Sequence, residues 1–224
     1  MHNNSKISII SLAGLAGFGF NAAYACINRW SLQEFCWSTW LAALFFSWAC
    51  IAVDAIRIIL DFQHQKEILE SKISQLRNIS RFVFIIVLCL VVILAAWIIF
   101  RIYVILFAFY GLFLSVWAEM EPYSFFDRNG FINSDFFSPV MYLTKKFWPM
   151  IIGLLISNLD IFVKESAWRL MFLPFRSSEI IRIHIMVIVM PFLCLLAWAI
   201  SKNAYQPITI TLLMGIFYLL PTRK

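Results

Sequence analysis

Ionisable side chains inside apolar stretches are the residues of this sequence best suited to chemistry. Asp160 and Asn158 lie in a Pro-interrupted apolar segment, where a carboxylate and unwound backbone can coordinate a cation or carry a proton. Asp54 and Arg57 are three residues apart, so on a helix they share a face and can touch. Ionisable residues inside a membrane are functional candidates by default. These four residues therefore predict an ion-coupling or gating site.

The same residues also allow a purely structural interpretation. Asp54 and Arg57 can form an interfacial ion pair that neutralises itself while both side chains reach towards the headgroups. Asp160 can end a short helix and face the headgroups. The Asp- and Asn-rich stretch 125–137 does not have the EF-hand spacing, because Gly130 is out of register. That stretch predicts a turn, with no calcium site.

Motifs for catalysis and metal binding do not occur in the sequence. His2, His64 and His184 have no acidic or cysteine partner at ligand spacing. No GxSxG, HExxH or P-loop motif is present. The basic residues are scattered, with no basic and aromatic patch. We therefore expect no enzyme activity, no cofactor, no metal and no nucleic-acid partner.

The composition places the chain in a membrane. Of 224 residues, 62% are hydrophobic and 13% are charged, against about 45–50% and about 25% in soluble domains. So few charges cannot cover so apolar a chain in water. The sequence predicts an all-α integral membrane protein, with residues 1–224 forming a single transmembrane domain in the lipid bilayer.

Hydropathy divides this domain into a polytopic helical bundle of about six transmembrane helices. The first segment also has features of a signal peptide, with "AYA" ending at Ala25. It is long enough to span, and we expect it to be retained as an anchor. The predicted crossings are 7–25, 36–60, 82–99, 103–118, 184–200 and 207–220.

Arg101 divides the longest apolar run, from Phe82 to Ala118. As one helix this run would be about 55 Å long, against a hydrocarbon core of about 30 Å. A hairpin with Arg101 at its turn buries both halves and puts the charge among the headgroups. Glycine and proline are absent from Ser31 to Tyr110, which favours one continuous helix instead. We predict the hairpin, because burial involves the larger energies.

The distribution of the 18 Lys and Arg residues orients the chain. With the hairpin and a re-entrant or interfacial segment in 147–175, 15 basic residues lie inside and 3 outside. With one helix over 82–118 and a full crossing at 147–163, the division is 12 and 6. We predict the first arrangement, with both termini cytoplasmic in a bacterial inner membrane. It has a cytoplasmic amphipathic helix at 61–81 and a cytoplasmic loop with the interfacial segment at 119–182.

Two residue pairs concern packing and redox state. Gly14 and Gly17 give the first span a small-residue face, on which another helix can pack closely. Cys26 and Cys36 bracket a short loop that we place outside the membrane. A disulfide between them is one alternative, and two interfacial thiols are the other.

These features predict a non-catalytic subunit of a larger membrane complex, with other membrane subunits or further copies of the chain as partners. Near the C-terminus, His184, Pro191, Trp198 and Pro207 resemble small membrane proteins of conjugative elements. The resemblance covers a short part of the chain and implies a complex of secretion or conjugation type. The alternative is a small oligomeric transporter or channel that uses the intramembrane acidic residues.

Overall fold

Every regular element in the described part of the chain is an α-helix. The computed structural model describes residues 12–72, 80–117, 135–173, 192–193 and 195–219. Residues 192–193 and 195–200 have helical backbone. The other helices, in chain order, are α1 (Leu12–Ile27), α2 (Leu32–Leu60), α3 (Phe62–Lys72), α4 (Arg81–Trp117), α5 (Phe137–Ser157), α6 (Leu159–Lys164) and α7 (Tyr205–Leu219).

By length and apolar composition alone, three of these helices could cross a membrane. They are α2, the Arg81–Leu112 part of α4, and α5. The prediction of an all-α, multi-pass integral membrane protein in contact with the lipid bilayer is therefore confirmed. The count of about six crossings stays a prediction.

The longest apolar run forms one helix, and the predicted hairpin at Arg101 is wrong. Helix α4 extends without a break over 37 residues, so the predicted spans 82–99 and 103–118 are parts of one element. The physical reason is local. No glycine or proline lies near Arg101 to reverse the chain, and the apolar residues on both sides continue the helix. The Arg101 guanidinium lies 5.3 Å from the centre of the Trp97 ring, one turn away.

A capping box fixes where α2 begins. The Ser31 hydroxyl accepts a hydrogen bond from the Glu34 N–H at 3.2 Å, and Glu34 Oε2 accepts one from the Ser31 N–H at 2.8 Å. These bonds satisfy backbone donors that the first turn otherwise leaves unpaired. The other Glu34 oxygen lies 2.7 Å from Lys146 Nζ. Glu34 therefore starts α2 and joins it to α5.

Helices α2 and α4 lie side by side in antiparallel directions. Trp40 Nε1 donates a hydrogen bond to the Phe107 carbonyl at 3.0 Å. Further along α2, the Trp48 ring centre lies 5.4 Å from that of Phe100. At the end of this pair, the Arg81 guanidinium lies 5.1 Å from the centre of the Phe62 ring. As the residue number rises in one helix it falls in the other. The depth of a residue in the bundle can therefore be expressed as the position of its contact along α2.

Helix α5 is bent where Pro149 removes a backbone donor and its ring crowds the preceding turn. Phe147, two residues earlier, has the non-helical angles φ −118° and ψ 19°. Before the bend, Phe136 contacts Trp40, with the ring centres 6.0 Å apart. At the bend, Lys146 reaches Glu34. The first half of α5 therefore runs towards the N-terminal end of α2.

After the bend the chain runs the other way along α2. Phe162 contacts Phe46, with the ring centres 5.6 Å apart, and the Glu165 carbonyl lies 3.4 Å from Arg57 Nη1. From Glu34 to Arg57 is about 35 Å at 1.5 Å per residue. Residues 147–165 therefore traverse the length of a membrane span. The predicted re-entrant or interfacial segment is not supported by these contacts.

Helix α1 packs against α5 and α7. Asn21 of α1 is buried and lies directly against Gly153 of α5, where a Cβ atom would be 2.7 Å from Asn21 Cγ. The close approach needs glycine at this position. Gly17 of the predicted small-residue face is buried, whereas the surroundings of Gly14 lie outside the described part.

The remaining predicted segments are described in part. The predicted amphipathic helix at 61–81 corresponds to α3, which ends at Lys72, and residues 73–79 lie outside the described residues. The predicted span 207–220 corresponds to α7. Residues 118–134 and 174–191 also lie outside the described residues, together with the start of the span predicted at 7–25.

Candidate functional site

Asp54 is fully buried near the C-terminal end of α2 and binds backbone from a distant segment. Its Oδ1 accepts a hydrogen bond from the Trp168 N–H at 3.2 Å, and its Oδ2 accepts one from the Met171 N–H at 2.9 Å. Hydrogen bonds to carboxylates are stronger than those between neutral groups, and more so where water is excluded. Asp54 therefore holds the segment 165–173 against α2.

Trp168 joins this segment to α3 as well. Its indole N–H donates to Gln65 Oε1 at 3.1 Å, and Gln65 is buried. The Trp168 backbone has φ 70°, in the left-handed region that non-glycine residues seldom adopt. Such a conformation persists only where surrounding contacts impose it. Here the Asp54 and Gln65 bonds fix the backbone N–H and the side chain.

Arg57 takes part in the same contact, but without an ion pair to Asp54. The predicted pairing of the two side chains is not observed, since no salt bridge joins them among the described residues. Instead, Arg57 Nη1 donates to the Glu165 carbonyl. The two residues do share a face, as their spacing predicts, and both use it to bind the segment 165–173. We name this set of contacts the Asp54 cluster: Asp54, Arg57, Gln65, Glu165, Trp168 and Met171.

The chemistry open to Asp54 follows from its bonds. Each carboxyl oxygen accepts one backbone hydrogen bond, which leaves further lone pairs on the group. The geometry is that of a carboxylate that orders a loop. Ion coupling at Asp54 stays a prediction.

Asn158 and Asp160 occupy the junction between α5 and α6. Asn158 is buried, and its Nδ2 donates to the Leu154 carbonyl at 2.9 Å and to Ser157 Oγ at 3.0 Å. The Asn158 amide therefore serves the end of α5. Asp160 lies in the first turn of α6, and its side chain lies outside the described part. The structure does not test the predicted pairing of Asp160 with Asn158 in an ion site.

Arg101 lies at mid-height of the bundle and on its exterior. Its neighbour Phe100 contacts Trp48, which is about 14 Å along α2 from Arg57 and about 21 Å from Glu34. An arginine at the centre of a bilayer costs about 2.5–3.5 kcal/mol on insertion scales. Among the described residues, Arg101 forms no salt bridge. Its position therefore needs a reason.

A cavity of about 290 Å³ opens between α1 and α7. Its walls are mostly apolar, and Arg29, Gln206 and Thr211 add polar groups. Arg29 has φ 50°, a strained value for a non-glycine residue. Cys26 also lines the cavity and is exposed, whereas Cys36 is buried, and no disulfide joins them. Of the two alternatives for these cysteines, the structure has the one without a disulfide.

Two sets of contacts were not predicted from the sequence. One is the capping box at the start of α2, and the other is the Gln65–Trp168 hydrogen bond in the Asp54 cluster. Ser31 and Glu34 form a Ser-x-x-Glu capping box directly before an apolar run, which is a known signature of a helix start. The Gln65–Trp168 bond has no such signature, because the two residues are 103 positions apart.

The described residues contain no group of three or more His, Cys, Asp and Glu side chains that could hold a metal ion. Comparison with known proteins adds no relative. The sequence matches no family model, and no curated protein or solved structure is significantly similar to it. The evidence for a function therefore comes from the residues of this chain alone.

Proposed function

We propose that the chain is a non-catalytic, multi-pass subunit of a larger complex in a bacterial inner membrane, of secretion or conjugation type. The observation that supports this most is the outward surface of α4. Of its most apolar stretch 22% is buried, against 44% in α2 and α5. That surface carries Arg101 at mid-height. A lipid-facing helix needs no such charge, whereas a helix that packs on another subunit can use it.

We propose six crossings with both termini cytoplasmic. The crossings are α1, α2, α4, residues 147–163, residues 184–200 and α7. This threading uses α4 as one crossing and gives 12 basic residues inside, 5 outside and Arg101 within α4, which agrees with the positive-inside rule.

The test is purification from native membranes in a mild detergent through a C-terminal tag, with mass spectrometry of the co-purifying proteins. We expect stoichiometric partners that persist after a second purification step. A matched purification of an unrelated tagged membrane protein controls for abundant contaminants. A homo-oligomer without other subunits would contradict the proposal.

The second candidate is a small oligomeric transporter or channel. Its support is the full burial of the Asp54 carboxyl within a membrane-crossing helix, together with Asp160 in α6. The discriminating variant is Asp160→Asn, measured as ion flux into liposomes at equal protein content. Transport at this residue predicts a loss of flux with assembly intact, and Asp61→Asn, at an exposed position, is the control. A subunit role predicts that Asp160→Asn changes little.

A further inference from the structure

The exterior of α4 around Arg101 is a surface for a partner helix. Leu94, Trp97, Ile98 and Ile105 are exposed and lie within one or two turns of Arg101 on the same side of the helix. The opposite side of α4, with Ile99 and Tyr103, is buried against α2 and its neighbours. We name the exposed set, together with Arg101, the Arg101 face.

One placement of the bilayer puts Arg101 in hydrocarbon. If Glu34 and Arg57 mark the two boundaries, Arg101 lies about 14 Å from the nearer one along α2. A guanidinium cannot reach the headgroups across this distance by snorkelling. Lipid then surrounds a charge whose favourable contact among the described residues is the cation–π contact with the Trp97 ring.

The other placement puts Arg101 at the membrane surface and exposes apolar side chains to water. Ile102, Ile105 and Phe109 follow Arg101 on α4, and all three are exposed. The helix continues for about 24 Å beyond Arg101 at 1.5 Å per residue. The first placement therefore leaves a charge in lipid, and the second leaves apolar side chains in water. A protein helix packed on the Arg101 face would shield the charge from lipid and the apolar side chains from water.

We propose that the Arg101 face binds a membrane helix of a different polypeptide, which carries an aspartate or glutamate at the depth of Arg101. A carboxylate can pair with a guanidinium through two parallel hydrogen bonds, and the apolar residues on either side provide packing. The charge then specifies the partner and its register along the membrane normal. This inference rests on the proposed function, since it names the chemistry by which the subunit joins its complex.

A second copy of this chain fits the Arg101 face less well. Copies related by an axis along the membrane normal keep each residue at one depth. Exposed acidic residues in the described part are Asp61, Glu67 and Asp135. The first two lie beyond the Arg57 end of α2. Asp135 adjoins Phe136, which contacts Trp40, about 12 Å along α2 from the level of Trp48.

The experiment places a photo-reactive amino acid at Leu94 or Ile105 of the full tagged chain and irradiates native membranes. We expect cross-links to one other polypeptide, identified by mass spectrometry. Arg101→Met should lower their yield at least tenfold, and Arg101→Lys, which keeps the charge but loses the two parallel hydrogen bonds, should give an intermediate yield. Arg81→Met, which removes a charge at the end of the same helix, is the matched control and should leave the yield unchanged.

Each other outcome overturns the inference. These are an unchanged yield in Arg101→Met, cross-links only to a second copy of the chain, and cross-links only to lipid. The tag purification, repeated on Arg101→Met, separates this inference from the proposed function. Partners retained without the arginine would leave the subunit role standing and remove the role of the Arg101 face. The absence of any partner in the unaltered protein would overturn both.

Discussion

The Asp54 side chain connects α2 to backbone that lies 114 and 117 positions further along the chain. It lies in α2, and the two N–H groups that it binds belong to residues 168 and 171. We predict that Asp54→Ala lowers the free energy of unfolding by about 3 kcal/mol, because the buried Met171 N–H and the partly buried Trp168 N–H lose a charged acceptor. Thermal unfolding in detergent measures the effect.

Asp61→Asn is the control for Asp54→Ala, because Asp61 is an exposed residue just after α2. We expect it to change stability by less than about 0.5 kcal/mol. Equal stability of Asp54→Ala and the unaltered protein would contradict an anchoring role. It would return Asp54 to the list of ion-coupling candidates.

At the scale of elements, the crossing of α1 and α5 depends on Gly153. A Cβ at this position would lie 2.7 Å from Cγ and 2.8 Å from Oδ1 of Asn21, too close for either residue to keep its place. We predict that Gly153→Ala lowers stability by about 1–3 kcal/mol through overpacking. Thermal unfolding of the variant in detergent checks this.

Two further variants show whether the Asn21 contact is the cause. Gly19→Ala adds the same methyl group where no atom lies within 4 Å, so it should be neutral or slightly stabilising. Asn21→Ala combined with Gly153→Ala should cost less than the sum of the two single substitutions. Strict additivity of the two would refute the contact.

The unbroken course of α4 is measurable as a distance. Val83 and Phe109 are both exposed and lie on either side of Arg101. One straight helix separates them by about 39 Å, at 1.5 Å per residue. A hairpin at Arg101 would bring them to less than half of that. Pulsed electron paramagnetic resonance with spin labels at both positions, in liposomes, distinguishes the two.

The positions of the helices in this chain can be predicted from the sequence. The contacts between the helices can be predicted only in part. Apolar length marks α2, α4 and α7, because burial in lipid requires it. The prediction of a hairpin at Arg101 is wrong because it gives burial of the apolar run more weight than local turn chemistry, which favours one helix. Asp54 and Arg57 stand out as charges in an apolar run. Their partners do not, because backbone N–H and carbonyl groups have no sequence signature.

At the scale of the whole molecule, contacts with α2 show which residues lie near its Glu34 end and which lie near its Arg57 end. Arg29 and Lys146 lie at the Glu34 end, while α3 and Glu165 lie at the Arg57 end. We predict that Cys26 reacts with a membrane-impermeant maleimide from the external face, because it is exposed beside Arg29. A cysteine introduced by His64→Cys, on the exposed side of α3, should react only from the cytoplasmic face.

Right-side-out and inverted vesicles give the two measurements, with Cys26→Ser to identify the labelled thiol. Labelling of both positions from one face would contradict a crossing between them. Labelling of Cys26 from the cytoplasmic face alone would keep the crossing and reverse the proposed orientation.

The bond between Asp54 and Trp168 joins residues 114 positions apart, and this separation has a consequence in time. Chains are synthesised at about 5–20 residues per second, so Asp54 is synthesised roughly 6 to 23 s before Trp168. Throughout that interval the Asp54 carboxyl has none of its final hydrogen-bond donors. Until residues 168–171 are made, other donors such as water have to solvate the Asp54 carboxyl, or a proton has to neutralise it.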